Sequence, residues 1–306
     1  MPLTPNGKID RKALPEPELT LATDWQLPRN VTEQHLVTVW SQVLKRTDIS
    51  IHDNFFDLGG DSILSIQIVA RARQAGLGLS PRDVFQHQSI ANLALVVQPV
   101  SAVLAEQGLV QGEVPLTPIQ NHFLVSDTTE PHYFNQAMLL VVPEDLNIIA
   151  LQTAFAAVLS HHDAFRLRYL LQAKTWRQTH QSEVAPHQII EENLANLATD
   201  LEPRANHWQA SLNLADGPLT HLVLFRSDDG KPARLLWVIH HLVVDGVSWR
   251  ILLDDLQTAY QQVRADEPIQ LPPKSTSFQA WSEFLEPVYD LILSLPKYIM
   301  RTNHES

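Results

Sequence analysis

The sequence predicts a multidomain chain, a small all-α four-helix bundle followed by an α/β lobe, and three observations predict it. The length of 306 residues exceeds one small module, at roughly 100–200 residues per domain. Residues 31–97 carry apolar residues at three- and four-residue steps, whereas beyond residue 112 helical stretches alternate with β-rich runs. Charge divides the chain in the same way. Residues 28–97 hold six Lys and Arg against six Asp and Glu, and residues 98–306 hold thirteen against twenty-four.

Taken in order, residues 1–30 contain five prolines and no periodic pattern, which reads as an extended lead-in and linker. From Val31, the spacing of Leu36, Val39, Trp40, Val43 and Leu44 predicts an amphipathic helix to about Arg46, with Thr32 as its cap. A loop from Thr47 to Asp61 follows. Ser62 opens a second helix through Ile63, Ile66, Val69 and Ala70, stopped by Gly76 and Gly78. Ser80 to Phe85 is a short helical turn, and Ser89 caps a last one through Leu93 to Val97. Residues 98–112 form a second joint. The later part has helices near Leu146–His161 and from Val247 to about Arg264, with strands at Ala137–Val142, Leu219–Phe225 and Leu235–His241. Glu286–Ser306 has one short apolar run and a polar tail.

Composition narrows the chemistry. The chain has 44% hydrophobic and 18% charged residues, so a disordered, highly charged chain is excluded and a core is expected. No cysteine is present, which removes disulfides, Cys-ligated zinc, iron–sulfur clusters and thiol nucleophiles together. Any sulfur chemistry must then come from a cofactor. The net charge of −12 argues against a nucleic-acid surface. Without an apolar stretch of about 18 residues or a basic signal start, the expectation is no membrane and a cytoplasmic protein.

Glycine is scarce at ten residues, yet four fall between Gly59 and Gly78. In Asp53-Asn-Phe-Phe-Asp-Leu-Gly-Gly-Asp-Ser62, the aromatic residues anchor a loop and Gly59 and Gly60 allow a sharp turn. Ser62 is thereby displayed at a helix start, where free N–H groups and partial positive charge suit a phosphate ester. The plainer alternative is an ordinary N-cap serine. The second feature is Leu235–His241, an apolar β-run ending in two histidines that point to opposite faces. Three readings compete there: a satisfied structural pair, a metal site using His241 and Asp245, and general acid/base catalysis by one imidazole.

The first motif, with the Ile63 that follows it, resembles the signature of peptidyl carrier proteins of nonribosomal peptide synthetases across residues 31–97. The resemblance implies that Ser62 carries 4′-phosphopantetheine, with Gly60 and Asp61 beside it, and that a phosphopantetheinyl transferase attaches the arm. Asp61 stands where many carriers have His, and an aspartate there resembles carriers that precede an epimerization domain. Pro2–Pro15 resembles the closing motif of an adenylation domain, with Lys8 as a remnant of its substrate-contacting lysine.

His240-His241-Leu-Val-Val-Asp245-Gly246 is similar to the His-His-x-x-x-Asp-Gly motif of the condensation superfamily, which shares the chloramphenicol acetyltransferase fold. That similarity assigns general acid/base work to His241 and support of the motif to Asp245. His161–Arg168 resembles another motif of the superfamily, which makes Arg166 the candidate partner of Asp245, with Arg168 as the alternative. Pro115–Phe123, Tyr133–Ala137, Asp245–Leu252 and Leu271–Phe278 resemble epimerization domains, with His122 where the family usually has Trp.

The resemblance thus implies inversion of an aminoacyl or peptidyl thioester from L to D, with an upstream adenylation domain and other synthetase modules as partners. The expected divisions are 1–27 adenylation remnant and linker, 28–98 carrier, 99–112 linker, 113–285 N-terminal lobe and 286–306 divergent tail. A second lobe carrying the opposing acid is expected to be missing, so the chain alone is not expected to epimerize. Two alternatives stand beside this: a carrier and docking module without catalysis, and half of a condensation-type acyltransferase.

Overall fold

A computed structural model describes residues 25–100, 106–126, 130–182, 188–227 and 231–294. Lys8 and the adenylation-like lead-in up to residue 24 lie outside the described residues. The chain divides into two compact units, Met1–Val103 and Leu104–Ser306. Among the described residues no helix is long and apolar enough to cross a membrane.

The first unit is a helical bundle. Helix α1 (Val31–Leu44) buries Leu36, Val39, Trp40 and Val43 on one face. Its cap is Asn30, whose side chain accepts from the Glu33 N–H at 2.8 Å, and not Thr32. Helix α2 (Ser62–Gln74) turns a different face inward from the one expected: Ser65, Ile68 and Ala72 are fully buried while Ile63 and Ala70 are exposed. Apolar residues surround this helix, so spacing alone did not select the side. Strand β1 (Leu77–Gly78), helix α3 (Pro81–Gln86), helix α4 (Ile90–Leu93) and strand β2 (Gln98–Pro99) complete the unit. The antiparallel β1–β2 pair lies where no strand was expected. Ser80 and Asp83 form a reciprocal cap on α3, and Ser89 caps α4.

The second unit is α/β. It runs β3 (Gly112–Val114), α5 (Pro118–Val125), β4 (Asn135–Val141), α6 (Ile148–His161), β5 (Leu167–Gln172), β6 (Thr175–His180), β7 (Ile190–Leu194), α7 (Leu197–Gln209), β8 (Thr220–Ser227), β9 (Arg234–His240), α8 (Gly246–Arg264) and α9 (Phe278–Ser294). One sheet has the order β4-β9-β8-β7, antiparallel except for the parallel β7–β8 pair; the other has the order β3-β6-β5. Leu235, Trp237 and Ile239 of β9 pack with α6 and α8, and Leu236 and Val238 pack with residues of α7 and its flanks. With both faces covered, β9 has to be a continuous apolar run.

Two elements have no clear signature in the sequence. The β5–β6 hairpin turns on Ala173 and Lys174, both at positive φ without a glycine or asparagine. Helix α7 contains Pro203, which reads locally as a break. Helix α9 runs through residue 285 without interruption.

Candidate functional site

In the first unit the loop before α2 is built on Phe55, which is fully buried and packs edge-on to Trp40 at 5.1 Å and Phe56 at 5.2 Å. Its N–H donates to Gln88 O at 2.7 Å. The chain then doubles back, with Gly60 N–H donating to Phe55 O at 2.9 Å. A Cβ at Gly60 would lie 2.5 Å from that oxygen and 2.6 Å from the Phe55 ring, and Gly59 holds φ +94°. Each glycine is therefore required for its own reason, one for closeness and one for handedness.

Asp61 and not Ser62 caps α2, since its Oδ1 accepts from the N–H of Ile63 at 2.9 Å and of Leu64 at 2.7 Å. Ser62 is the first helical residue and is exposed. Among the described residues its hydroxyl has no hydrogen-bond partner, although its carbonyl accepts from Ser65 Oγ at 2.7 Å. Asp61 takes two N–H groups that the sequence left free for a phosphate. A phosphate ester here would be held by its covalent bond and by the positive end of the helix. The residues fit 4′-phosphopantetheine in the one respect it needs, an unengaged hydroxyl facing solvent.

In the second unit the paired histidines have separate surroundings. His240 is fully buried; its Nε2 faces Pro131 O at 2.9 Å and its Nδ1 accepts from Leu242 N–H at 3.2 Å. Burial pushes this imidazole down to about 4. The ring is thus a neutral, fully engaged structural group. His241, beyond the end of β9, is half-buried and stacks on Phe134 at 4.8 Å and 13°, and Phe134 in turn stacks on Phe123 at 4.6 Å. Its Nδ1 lies 2.9 Å from Val244 O and its Nε2 lies 2.9 Å from the Gln136 amide nitrogen.

The turn after His241 is tied down from two sides. Leu242 O accepts from Gln120 at 3.5 Å and from the Tyr169 hydroxyl at 3.4 Å, within a buried group that includes Gln178. Burial raises the Tyr169 phenol far above its usual value, which keeps it a donor. Asp245 caps α8, its Oδ1 accepting from Val247 N–H at 3.1 Å and from Ser248 N–H and Oγ, each at 2.7 Å. Burial works to raise its carboxyl, but the Ser248 and Val247 bonds outweigh this and hold it below the usual carboxylate range.

Arg166 does not pair with Asp245. It is buried and bonds Asp163, Ser160 O and Val110 O. Asp163 lies three residues away in the same short turn and is reached first. Arg168 donates to Leu167 O at 2.7 Å and packs on Gly217. The metal reading at His241 and Asp245 finds no support among the described residues: Nε2 faces the Gln136 amide nitrogen, Asp245 Oδ1 is engaged in the α8 cap, and the one group of three ligand atoms close together lies elsewhere. Elsewhere His161, His162 and Asp255 bring ligand atoms within 4.8 Å of one another. His162, the residue that caps the end of α6, places its Nε2 2.8 Å from Asp255 Oδ2 of α8 and so clasps the two helices, while burial, the His162 ring and the nearby Lys274 charge hold the His161 imidazole below its usual value.

Gln136 and Trp249 fall inside sequence motifs that give neither of them a role. The β4–β9 register places Asn135 opposite His240, and His241 N–H donates to Phe134 O at 2.8 Å, which brings Phe134 and Gln136 to the His241 ring. Nothing in the spacing along the chain could have shown that pairing.

Comparison with known proteins gives a family model of the Condensation domain matching residues 110–288 and one of the Phosphopantetheine attachment site matching residues 34–97. The chain is 51% identical over 294 residues to one of the linear gramicidin synthase subunits of Brevibacillus parabrevis, covering 93% of this chain and 6% of that one. It is 40% identical to tyrocidine synthase 1 of the same organism, covering 94% of this chain and 27% of that one. It is also similar to the solved epimerization domain from the third module of tyrocidine synthetase B, with TM-score 0.60 and 34% identity over 66% of this chain and 48% of that one. The chain therefore spans a small part of its curated relatives and about half of that solved domain.

Proposed function

The chain belongs to the Condensation domain family, and from that premise we propose that it is a component of a nonribosomal peptide synthetase whose carrier unit is loaded at Ser62 and whose second unit inverts an α-carbon through His241. The cofactor of the first unit is 4′-phosphopantetheine. When bound, it supplies a terminal thiol on a flexible arm, which accounts for thioester chemistry in a chain without cysteine. Ser62 provides the hydroxyl that forms the ester, while Gly60 and Asp61 shape and cap the turn that presents it.

The observation that carries the inversion reading is the proton placement at His241. Its Nδ1 donates to Val244 O, which leaves the lone pair on Nε2 as the base. Nε2 would take the proton from the carbon beside the acyl carbonyl, forming an N–H bond while the C–H pair stays on the substrate as an enolate, and a proton delivered to the opposite face by a second acid/base would complete the inversion. Asp245 holds the start of α8 and thereby Val244. The likeness to a solved epimerization domain favours inversion over condensation.

The reading extends to a phosphopantetheinyl transferase, an upstream adenylation domain and other modules as partners. It takes residues 1–27, with Lys8, as an adenylation tail, and 28–98 and 113–285 as the carrier and the lobe. The test has two arms. Incubation with coenzyme A and a transferase should add the arm's mass to the wild type and not to Ser62→Ala. With a second lobe supplied as a separate chain, an aminoacyl group then loaded on the wild type should exchange its α-proton in deuterated buffer, and on His241→Ala should not. No mass gain on the wild type overturns the carrier assignment, and no exchange overturns the inversion assignment.

A further inference from the structure

The hydrogen bonds around His241 form a chain whose direction is fixed at both ends. The Trp249 indole N–H is a donor only, and it reaches Gln136 Oε1 at 2.8 Å. The amide oxygen is thereby identified, so the group facing His241 Nε2 at 2.9 Å is the amide NH2. At the other end Val244 O is an acceptor only, 2.9 Å from Nδ1. One proton arrangement satisfies every link: Trp249 donates to Gln136, Gln136 donates to Nε2, and Nδ1–H donates to Val244.

We infer that Gln136, oriented by the Trp249 indole, is the positioning residue that selects the Nδ1–H tautomer of His241 and keeps Nε2 unprotonated. Among the described residues no carboxylate is hydrogen-bonded to either nitrogen of this ring, so the choice falls to an amide and a carbonyl. Asp245, the ionisable group beside it, directs its Oδ1 to the first turn of α8. The reversed tautomer would set Nε2–H against an NH2 and a bare Nδ1 against a carbonyl oxygen, two contacts of like sign.

The Gln136 backbone and the Trp249 ring at the two ends of the relay are held by different elements, while the Gln136 side chain between them can turn. Trp249 is 5% exposed and packs edge-on to Trp237 at 5.5 Å, while Gln136 sits inside the β4–β9 ladder. Stacking on Phe134 holds the ring plane. A proton gained at Nε2 meets the amide NH2 as a second donor, so Gln136 has to swing away. Its return favours the bare nitrogen. Gln136 thus resets His241 to the base form after each proton transfer. This last meaning rests on the proposed role of His241, whereas the tautomer does not.

The test is the ring 15N signature of the labelled full chain, with the His241 signals identified by their loss in His241→Asn. The wild type should show Nδ1 protonated and Nε2 bare. Trp249→Phe keeps the packing and frees the amide to turn its oxygen toward the ring, so the Nε2–H form should rise by about tenfold. Gln136→Met should give the same change without touching Trp249, and covers the case in which Trp249→Phe fails to fold. An Nε2–H ring in the wild type, or an unchanged signature in folded Gln136→Met, overturns the inference. A tautomer that responds as stated while the loaded wild type exchanges no α-proton supports the relay and overturns only the role of His241.

Discussion

At the start of α2, Asp61 sits at φ −137° and ψ −179° and accepts from the N–H groups two and three residues ahead; at the start of α8, Asp245 sits at φ −139° and ψ −178° and does the same. The caps are interchangeable as local structure, and the difference lies in what precedes and follows them. Before Asp61 is a glycine turn pressed on Phe55, and after it is an exposed serine whose hydroxyl has no partner among the described residues. Before Asp245 is the end of a buried strand, and His241, the proposed base, lies four positions upstream, inside a closed set of hydrogen bonds. A helix start is therefore no function in itself. In one unit it exposes a serine hydroxyl, and in the other it follows the carbonyl that faces an imidazole.

The largest effect that would break this contrast is at the two serines. Ser62→Ala should abolish loading completely and leave the α2 amides as protected from exchange as before. Ser248→Ala should load normally and cost the second unit about 1 kcal/mol, for one hydrogen bond to Asp245. Mass measurement reads the first and amide exchange in α8 the second.

Acid separates the two units next. His240 and His180 are buried with imidazoles pushed down to about 4, in both cases chiefly by burial. The unfolded chain takes up these protons below about 6.5 and the folded chain does not. Stability of the second unit should thus fall between pH 6.5 and 4 and level off below, by about 2–3 kcal/mol per ring. His180→Leu should shrink that loss, since neither His180 ring nitrogen has a partner among the described residues. The first unit should hold through that window. Glu33, kept below the usual carboxylate range chiefly by its bond to Arg29, contributes stability above the unfolded value and loses it only as pH falls through the lower folded one. Denaturation followed by amide exchange at several pH values reads both units.

The glycines sharpen the comparison further. Gly60→Ala should cost the first unit about 2–3 kcal/mol, because its Cβ would strike backbone at Phe55. Gly246→Ala, with nothing within 4 Å and an ordinary φ, should be neutral or gain about 0.5 kcal/mol. At the caps themselves, Asp61→Ala should cost about 1 kcal/mol and Asp245→Ala about 2 kcal/mol, the extra arising from the Ser248 hydroxyl. Thermal melts of the four variants order these effects.

Local pattern made much of this legible. The face of α1 follows from Leu36, Val39, Trp40 and Val43, and the alternation along β9 is enough to separate His240 from His241. The β5–β6 hairpin and α7 were hidden because Ala173, Lys174 and Pro203 carry the wrong local signature, and sheet and core packing override it. Arg166 was misassigned because a motif says which residues matter and not which reach one another; Asp163, three residues away, takes it first.

The sequence by itself determined the chemistry on offer: no thiol, a serine after two glycines and an aspartate, and two histidines at the end of a buried run. Those are properties of neighbours along the chain, where bond geometry and side-chain period set the outcome. Which hydroxyl is free, which imidazole is enclosed and which nitrogen keeps its lone pair were decided only in the tertiary structure. The proton on His241 depends on Gln136, which lies 105 residues from that histidine and 113 from Trp249. Only strand register and helix packing bring such groups to hydrogen-bond distance.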